Sequence, residues 1–205
     1  RIRYRGASPS RSVTIKPSQG VKATINFTNA STSSTGQLQF GDEAYTYFSP
    51  TYFTIDGSNT PGGTTRDLTI NFNGRNGIRV FVNSTHISIK NCLMNVTQKV
   101  TTSSSNCIVF SMQYRPPGSA GVAGYFYPDS CIVENCVLTN SGNPSARGIA
   151  TDRSSAPLDL NVATRGLIFR NNVINVKERG ITMEHAINVS IYGNTIRLQQ
   201  DSNLT

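Results

Sequence analysis

Arg165-Gly-Leu-Ile-Phe-Arg-Asn-Asn-Val-Ile-Asn-Val176, Lys177-Glu-Arg179, Gly180-Ile-Thr-Met183 and Ile187-Asn-Val-Ser-Ile-Tyr-Gly-Asn-Thr-Ile-Arg-Leu198 form the stretch on which the fold is read. Its pieces are short runs in which apolar and polar residues alternate with the period of a β-strand, and they are divided by Asn or Gly bends instead of hairpin loops. Leu167 and Phe169 fall on one face of the first run and Arg170 on the other. A bend at Asn171 leads to Ile174 and Val176, and a third run starts at Gly180-Ile181 after the charged corner Lys177 to Arg179. Twenty-two residues after Leu167 the first run returns as Val189-Ser190-Ile191.

The same phrase recurs along the chain. Val13-Thr14-Ile15-Lys16-Pro17, Phe53-Thr54-Ile55-Asp56-Gly57, Ile87-Ser88-Ile89-Lys90-Asn91, Cys131-Ile132-Val133-Glu134-Asn135, Leu167-Ile168-Phe169-Arg170-Asn171 and Val189-Ser190-Ile191-Tyr192-Gly193 share one form: apolar, any, apolar, usually charged, turn-former. A second phrase keeps its own order in Asn76-Gly77-Ile78, Asn106-Cys107-Ile108, Arg147-Gly148-Ile149 and Arg179-Gly180-Ile181. Repeats of this length signal a solenoid, whose units bury their apolar faces only by stacking on one another. With strand units and no helical periodicity between them, the sequence predicts an all-β chain, a right-handed parallel β-helix (β-solenoid) of about six rungs with lateral loop insertions. Stacked at strand spacing, such a core is roughly 25 to 30 Å long.

The 205 residues are enough for a single domain spanning 1–205, and no composition shift marks a second. Charged residues make up 15% while Asn, Ser, Thr and Gly are plentiful, as expected where uncharged turns set the corners. The net charge of +8 and pI near 9.6 favour anionic partners. The basic residues are nonetheless scattered beyond Arg1, Arg3 and Arg5, and no recognition motif is present, so specific nucleic-acid binding is not expected. No apolar run is long enough for a transmembrane segment, and the start at Arg1 without signal peptide predicts a processed chain or an excised piece of a longer one.

Arg1-Ile2-Arg3-Tyr4-Arg5 alternates as a strand, and the chain closes on an open rung at Ile191 and Ile196. Uncovered strand edges associate, which makes end-to-end assembly the first functional lead. The Ser- and Thr-rich segment Thr28 to Gly41 reads as a lateral loop. It is followed by the most aromatic stretch, Tyr45 to Phe53.

From Tyr52 to Ile70 the text contains Tyr-Phe-Thr-Ile-Asp-Gly-Ser-Asn and then Thr-Thr-Arg-Asp-Leu-Thr-Ile. These words resemble the secreted right-handed parallel β-helix repeat proteins of the pectate-lyase-like superfamily fold, closest to Bacteroidota-type cell-surface β-helix repeat proteins. The resemblance implies an extracellular, cell-surface location and a structural or adhesive role, and it says little of chemistry.

The longest interruption, Met112 to Asp129, carries Tyr114, Arg115, Tyr125, Phe126 and Tyr127 among Gly and Pro residues. Gly and Pro exclude a regular strand through its middle, so it either protrudes as a binding loop or packs its rings on the flank of its own solenoid. The four cysteines, at 92, 107, 131 and 136, match no zinc-ligand spacing. Cys92 and Cys136 share one inward position that Asn172 and Asn194 continue, a ladder whose parallel Cβ vectors suit a disulfide poorly. Six Asn-x-Ser/Thr sequons are the accidental harvest of an Asn-, Ser- and Thr-rich chain.

The rival function is polysaccharide binding or cleavage, through the Tyr45 to Tyr52 flank or the Met112 to Asp129 loop. A lyase needs clustered carboxylates for calcium with a basic residue, and a hydrolase needs paired carboxylates. Here the acidic residues are dispersed. Asp56, Lys90, Glu134 and Arg170 form a mixed-charge column, and the pairs Asp152-Arg153 and Glu184-His185 read as solvated corners. No catalytic residue, metal ligand or cofactor is expected. The sequence favours a structural or adhesive module that assembles end to end into a filament or stalk by strand augmentation. Its partners are other copies of itself or adjoining repeats, and possible surface polysaccharide.

Overall fold

A computed structural model describes residues 7–41, 50–98, 104–115, 117–118, 124–142, 145–154 and 163–199. The described residues are all-β, without a helix. In chain order the strands are β1 (Val13–Ile15), β2 (Ala23–Phe40), β3 (Thr51–Asp56), β4 (Leu68–Phe81), β5 (Thr85–Lys90), β6 (Cys92–Val96), β7 (Ser105–Arg115), β8 (Gly124–Phe126) and β9 (Ile132–Glu134). They continue as β10 (Val137–Asn140), β11 (Ala146–Ser154), β12 (Thr164–Arg165), β13 (Ile168–Arg170), β14 (Val173–Val176), β15 (Arg179–Thr182), β16 (Ala186–Ile187), β17 (Ser190–Tyr192) and β18 (Thr195–Leu198).

One parallel sheet runs β1-β3-β5-β9-β13-β17. A second starts at the long strands β2 and β4 and divides after them. The first half of β4 pairs with β6, which leads to β10, β14 and β18; the second half pairs with β7, which leads to β11 and β15. Strands β12 and β16 make a short third sheet, which isolated bridges extend through Asp129 to Thr85. Every pairing except β7 with β8 is parallel. Apart from β8, successive returns of the chain, here called circuits, thus lay parallel strands beside one another.

The register explains the phrases. Val13, Phe53 and Ile87 are Cα partners, and the run Ser88, Ile132, Ile168, Ser190 carries their column to Cys131, Leu167 and Val189. Asn76, Asn106, Arg147 and Arg179 likewise form one column, with Ile78, Ile108, Ile149 and Ile181 two residues on. Glycine is selected in the second phrase by contact. A Cβ on Gly77 would lie 2.6 Å from the carbonyl oxygen of Cys107, and one on Gly148 would meet Ile174 Cγ2 and lie 2.5 Å from the carbonyl oxygen of Gly180.

Corners between the first sheet and the second sit in the left-handed region, at Asn91, Asn135 and Asn171 with φ of +58°, +50° and +55°. Asn tolerates this conformation better than other non-glycine residues. The backbone N–H of each corner donates to the next circuit, Asn91 to Glu134, Asn135 to Arg170 and Asn171 to Tyr192.

The core is a stack of inward side chains. In the first sheet Ile55, Ile89, Val133 and Phe169 follow one another in register and are buried; in the second, Ile70, Met94, Leu138 and Ile174 do the same. Burying such a side chain contributes about 1.5–3 kcal/mol, so the columns hold the circuits together.

One expectation needs correction. Thr28 to Gly41 is no lateral loop: β2 runs through to Phe40, paired with β4 across two register shifts. The Ser and Thr content suggested a loop, but Gly36, Leu38 and Phe40 face Asn76, Ile78 and Val80 as a third-face strand.

Candidate functional site

Both terminal circuits expose residues that are buried in the circuits between them. Ile15 and Ile191 continue the column of Ile55 and Phe169 yet are 41% and 47% exposed. Ile25 and Ile196 continue the column of Ile70 and Ile174 and are 38% and 47% exposed, and Leu198, next to Val176, reaches 60%. The proposed assembly strand Arg1, Ile2, Arg3, Tyr4 and Arg5 lies outside the described residues.

The Met112 to Asp129 interruption begins as a hairpin on the flank. Strand β7 continues to Arg115, and β8 returns antiparallel to it, with Tyr114 opposite Tyr125. The rings of Tyr114 and Tyr125 lie 4.7 Å apart. Phe126 is buried with Phe81 and Val82, and the Tyr127 ring carries the Arg165 guanidinium 4.8 Å from its centre. Phe126 and Tyr127 are thus engaged with the body of the chain, and the rings of Tyr114 and Tyr125 with each other. In the Tyr45 to Tyr52 stretch only 50–52 are described, and Tyr52 stacks on His86 at 4.3 Å.

The inward ladder is built as a hydrogen-bonded column. Leu68, Cys92, Cys136, Asn172 and Asn194 succeed one another, the register being fixed by Leu68 with Cys92 and by Leu93, Val137, Val173 and Thr195 one residue on. Asn194 Oδ1 accepts from both the backbone N–H of Asn172 at 3.0 Å and its Nδ2 at 2.9 Å. All four cysteines are buried free thiols, so Cys92 and Cys136 are not bonded. The Cys136 neighbour and burial push the Cys92 thiol far up, and burial pushes Cys107 up and Cys131 to about 12. They are structural and poor nucleophiles.

The mixed-charge column neutralises itself. Lys90 Nζ stands 3.5 Å from Asp56, and Arg170 Nε donates to Glu134 Oε2 at 2.6 Å. Hydrogen bonding to the Tyr192 hydroxyl, then to Glu134, holds the Arg170 pKa above its ordinary value. The polar groove of about 390 Å³ beside this column, formed by Gly62 to Thr64 with Lys90, Asn91, Glu134, Asn135 and Asn171, therefore has its charges already paired.

A smaller groove of about 190 Å³ differs. It is lined by Arg75, Ser104, Asn106, Arg147, Ala150, Thr151, Asp152 and Glu184. The two acidic corners singled out from the sequence thus meet in one place. They are adjacent because Thr151 Oγ1 donates to the carbonyl of Glu184 at 2.7 Å and accepts from its N–H at 2.6 Å. Sequence reasoning missed Arg75, Asn106 and Arg147 here; Asn106 and Arg147 share the first position of the second phrase, which was the available signal. No group of three or more His, Cys, Asp or Glu that could hold a metal occurs among the described residues.

No protein-family model matches the chain, and no curated protein matches it.

Proposed function

We propose that this chain is a right-handed parallel β-helix of about six rungs and serves as a structural module that stacks end to end with further copies of itself. The observation that supports this reading most is the exposure of the inward columns at both ends, at Ile15 and Ile25 on one face and Ile191, Ile196 and Leu198 on the other. Among the described residues β1 and β2 on one side and β17 and β18 on the other pair with one neighbour each, so a further copy or an adjoining repeat can continue the ladders by main-chain hydrogen bonds while burying these side chains. We further propose a secreted, cell-surface setting with an adhesive or stalk-forming role, on the strength of the Tyr52 to Ile70 words.

Light scattering and electron microscopy across a concentration series test the assembly. The expected result is filaments that Ile196→Glu or Ile25→Glu shortens or abolishes while the circular dichroism of the monomer is retained. A strictly monomeric chain at high concentration, or filaments indifferent to both substitutions, would overturn the proposal.

A further inference from the structure

The joint between stacked copies can be named residue by residue, an inference that rests on the end-to-end reading. Among the described residues β1 and the first arm of β2, 23–27, bound one side of the stack, and β17 and β18 bound the other. The second arm of β2 is closed already, because Gln39 and Phe40 are buried. The ladders that reach these bounding strands are all parallel. Two copies joined by like ends would set their strands antiparallel, so only the last circuit of one against the first of the next continues the ladders in kind.

Each column, followed to both its ends, names the two residues that such a joint brings together. Ile191 and Ile15 end one inward column, Ile196 and Ile25 a second, and Leu198 and Phe27 a third. All three pairs are apolar on apolar. Asn194 ends another column against Ala23, but its amide is already satisfied within its own copy, through Asn172 and the carbonyls of Phe169 and Tyr192. In the outward columns Arg197 arrives at Asn26, and Tyr192 at Lys16, the residue after Ile15, so no like charges are set together.

The third pair has shape as well as chemistry. Leu198 is the most exposed large apolar side chain among the described residues, at 60%. Phe27 lays one ring face on Phe72, with centroids 5.1 Å apart and planes 15° apart. Beside it β2 leaves a recess of about 390 Å³ lined by Asn26, Phe27, Thr28, Asn29 and Gln37, with no residue of β4 in its wall. The recess therefore lies on the side of β2 turned away from β4, where the β18 of another copy is due. We infer that the joint between copies is polar, with Leu198 of one copy seated as its anchor in the recess beside Phe27 of the next. Unlike faces that fit each other do not close as a pair, so the same contact repeats along an open filament.

Analytical ultracentrifugation of the whole chain, of Ile25→Glu, of Leu198→Glu and of the two variants mixed in equal amounts tests this. Each variant has one face blocked and the other intact. Each alone is expected to stay monomeric where the parent associates, and the mixture to form a dimer and nothing longer. Leu198→Ala should weaken association of the parent roughly tenfold or more, by removing the anchor's buried area. Both Glu substitutions fall at exposed positions, so a thermal midpoint like the parent's at high dilution separates blocked association from lost fold. The inference is overturned if either Glu variant dimerises alone, if the mixture stays monomeric, or if Leu198→Ala associates as tightly as the parent. Dimers of one variant alone would leave stacking standing and remove only the polar joint, whereas a parent that never associates removes both.

Discussion

The backbone N–H of Cys136 donates to Asn172 Oδ1 at 2.9 Å, so a side chain of one circuit closes the backbone of the circuit before it. Asn172 Nδ2 also reaches the carbonyl of Val133 at 3.0 Å, and the residue is almost wholly buried. Asn172→Ala should therefore cost about 1–3 kcal/mol, since it strands buried groups on its neighbours. Asn172→Asp should cost more, because a carboxylate cannot donate to Val133 or Asn194 and would be charged in an apolar column. Urea midpoints of the two variants check the order.

Gly148→Ala should destabilise the chain by about 1–3 kcal/mol through overpacking against Ile174 and the Gly180 backbone. Pairing it with Ile174→Ala, which removes the Cγ2 that the new methyl meets, should make the double variant lose less than the sum of the two single losses, which a double-mutant cycle in urea would show.

Asn171 has φ of +55° and an exposed side chain, and glycine holds the equivalent corner at Gly193. Asn171→Gly is expected to change stability by no more than about 0.5 kcal/mol, while Asn171→Ala should cost about 1 kcal/mol for placing a Cβ in the left-handed region. Thermal melts of the two variants make the comparison.

The buried thiols give stability an alkaline limb. Cys131 ionises near 12 in the folded chain against an ordinary value of 9.0, because burial disfavours the thiolate. Its folded value is the higher one, so below about pH 9 neither state is ionised and the contribution is complete. Above pH 9 the unfolded chain releases its proton first, and the contribution falls by about 1.4 kcal/mol per pH unit until the folded value is passed. Unfolding free energies of the parent and Cys131→Ala, measured from pH 8 to 11, should converge as pH rises; parallel curves would refute the assignment.

Ile174 and Ile196 are register partners with different surroundings, one buried and one half exposed. Ile174→Ala should cost about 2–5 kcal/mol by opening a cavity, and Ile196→Ala under about 1 kcal/mol in the monomer. Denaturation at a dilution where no association is detected checks this ratio.

Much of the fold was legible because each circuit repeats its inward residues. Phe53, Ile87 and Leu167 can be aligned by eye, and the columns follow from that alignment. Thr28 to Gly41 misled because its Ser- and Thr-rich composition outweighed a strand period that only Leu38 and Phe40 carry. The Tyr-rich interruption left two outcomes open in the sequence, since only tertiary packing decides that Phe126 goes under Phe81 and Val82. The groove was hidden for another reason. Asp152 and Glu184 are thirty-two positions apart in sequence, and their meeting depends on the Thr151 hydroxyl bridging two circuits, which no local motif announces.

The parallel pairings have a mechanical consequence. In the parallel β-helix that we propose, the backbone hydrogen bonds between circuits run along the stacking direction, so a tensile load between the two ends would bear on one interface at a time. Such a chain gives way by unzipping, circuit after circuit at low force, whereas a load applied along the strands must shear a whole ladder at once. Anchored by its flank, such a β-helix would be stiff, and pulled from its ends it would pay out length.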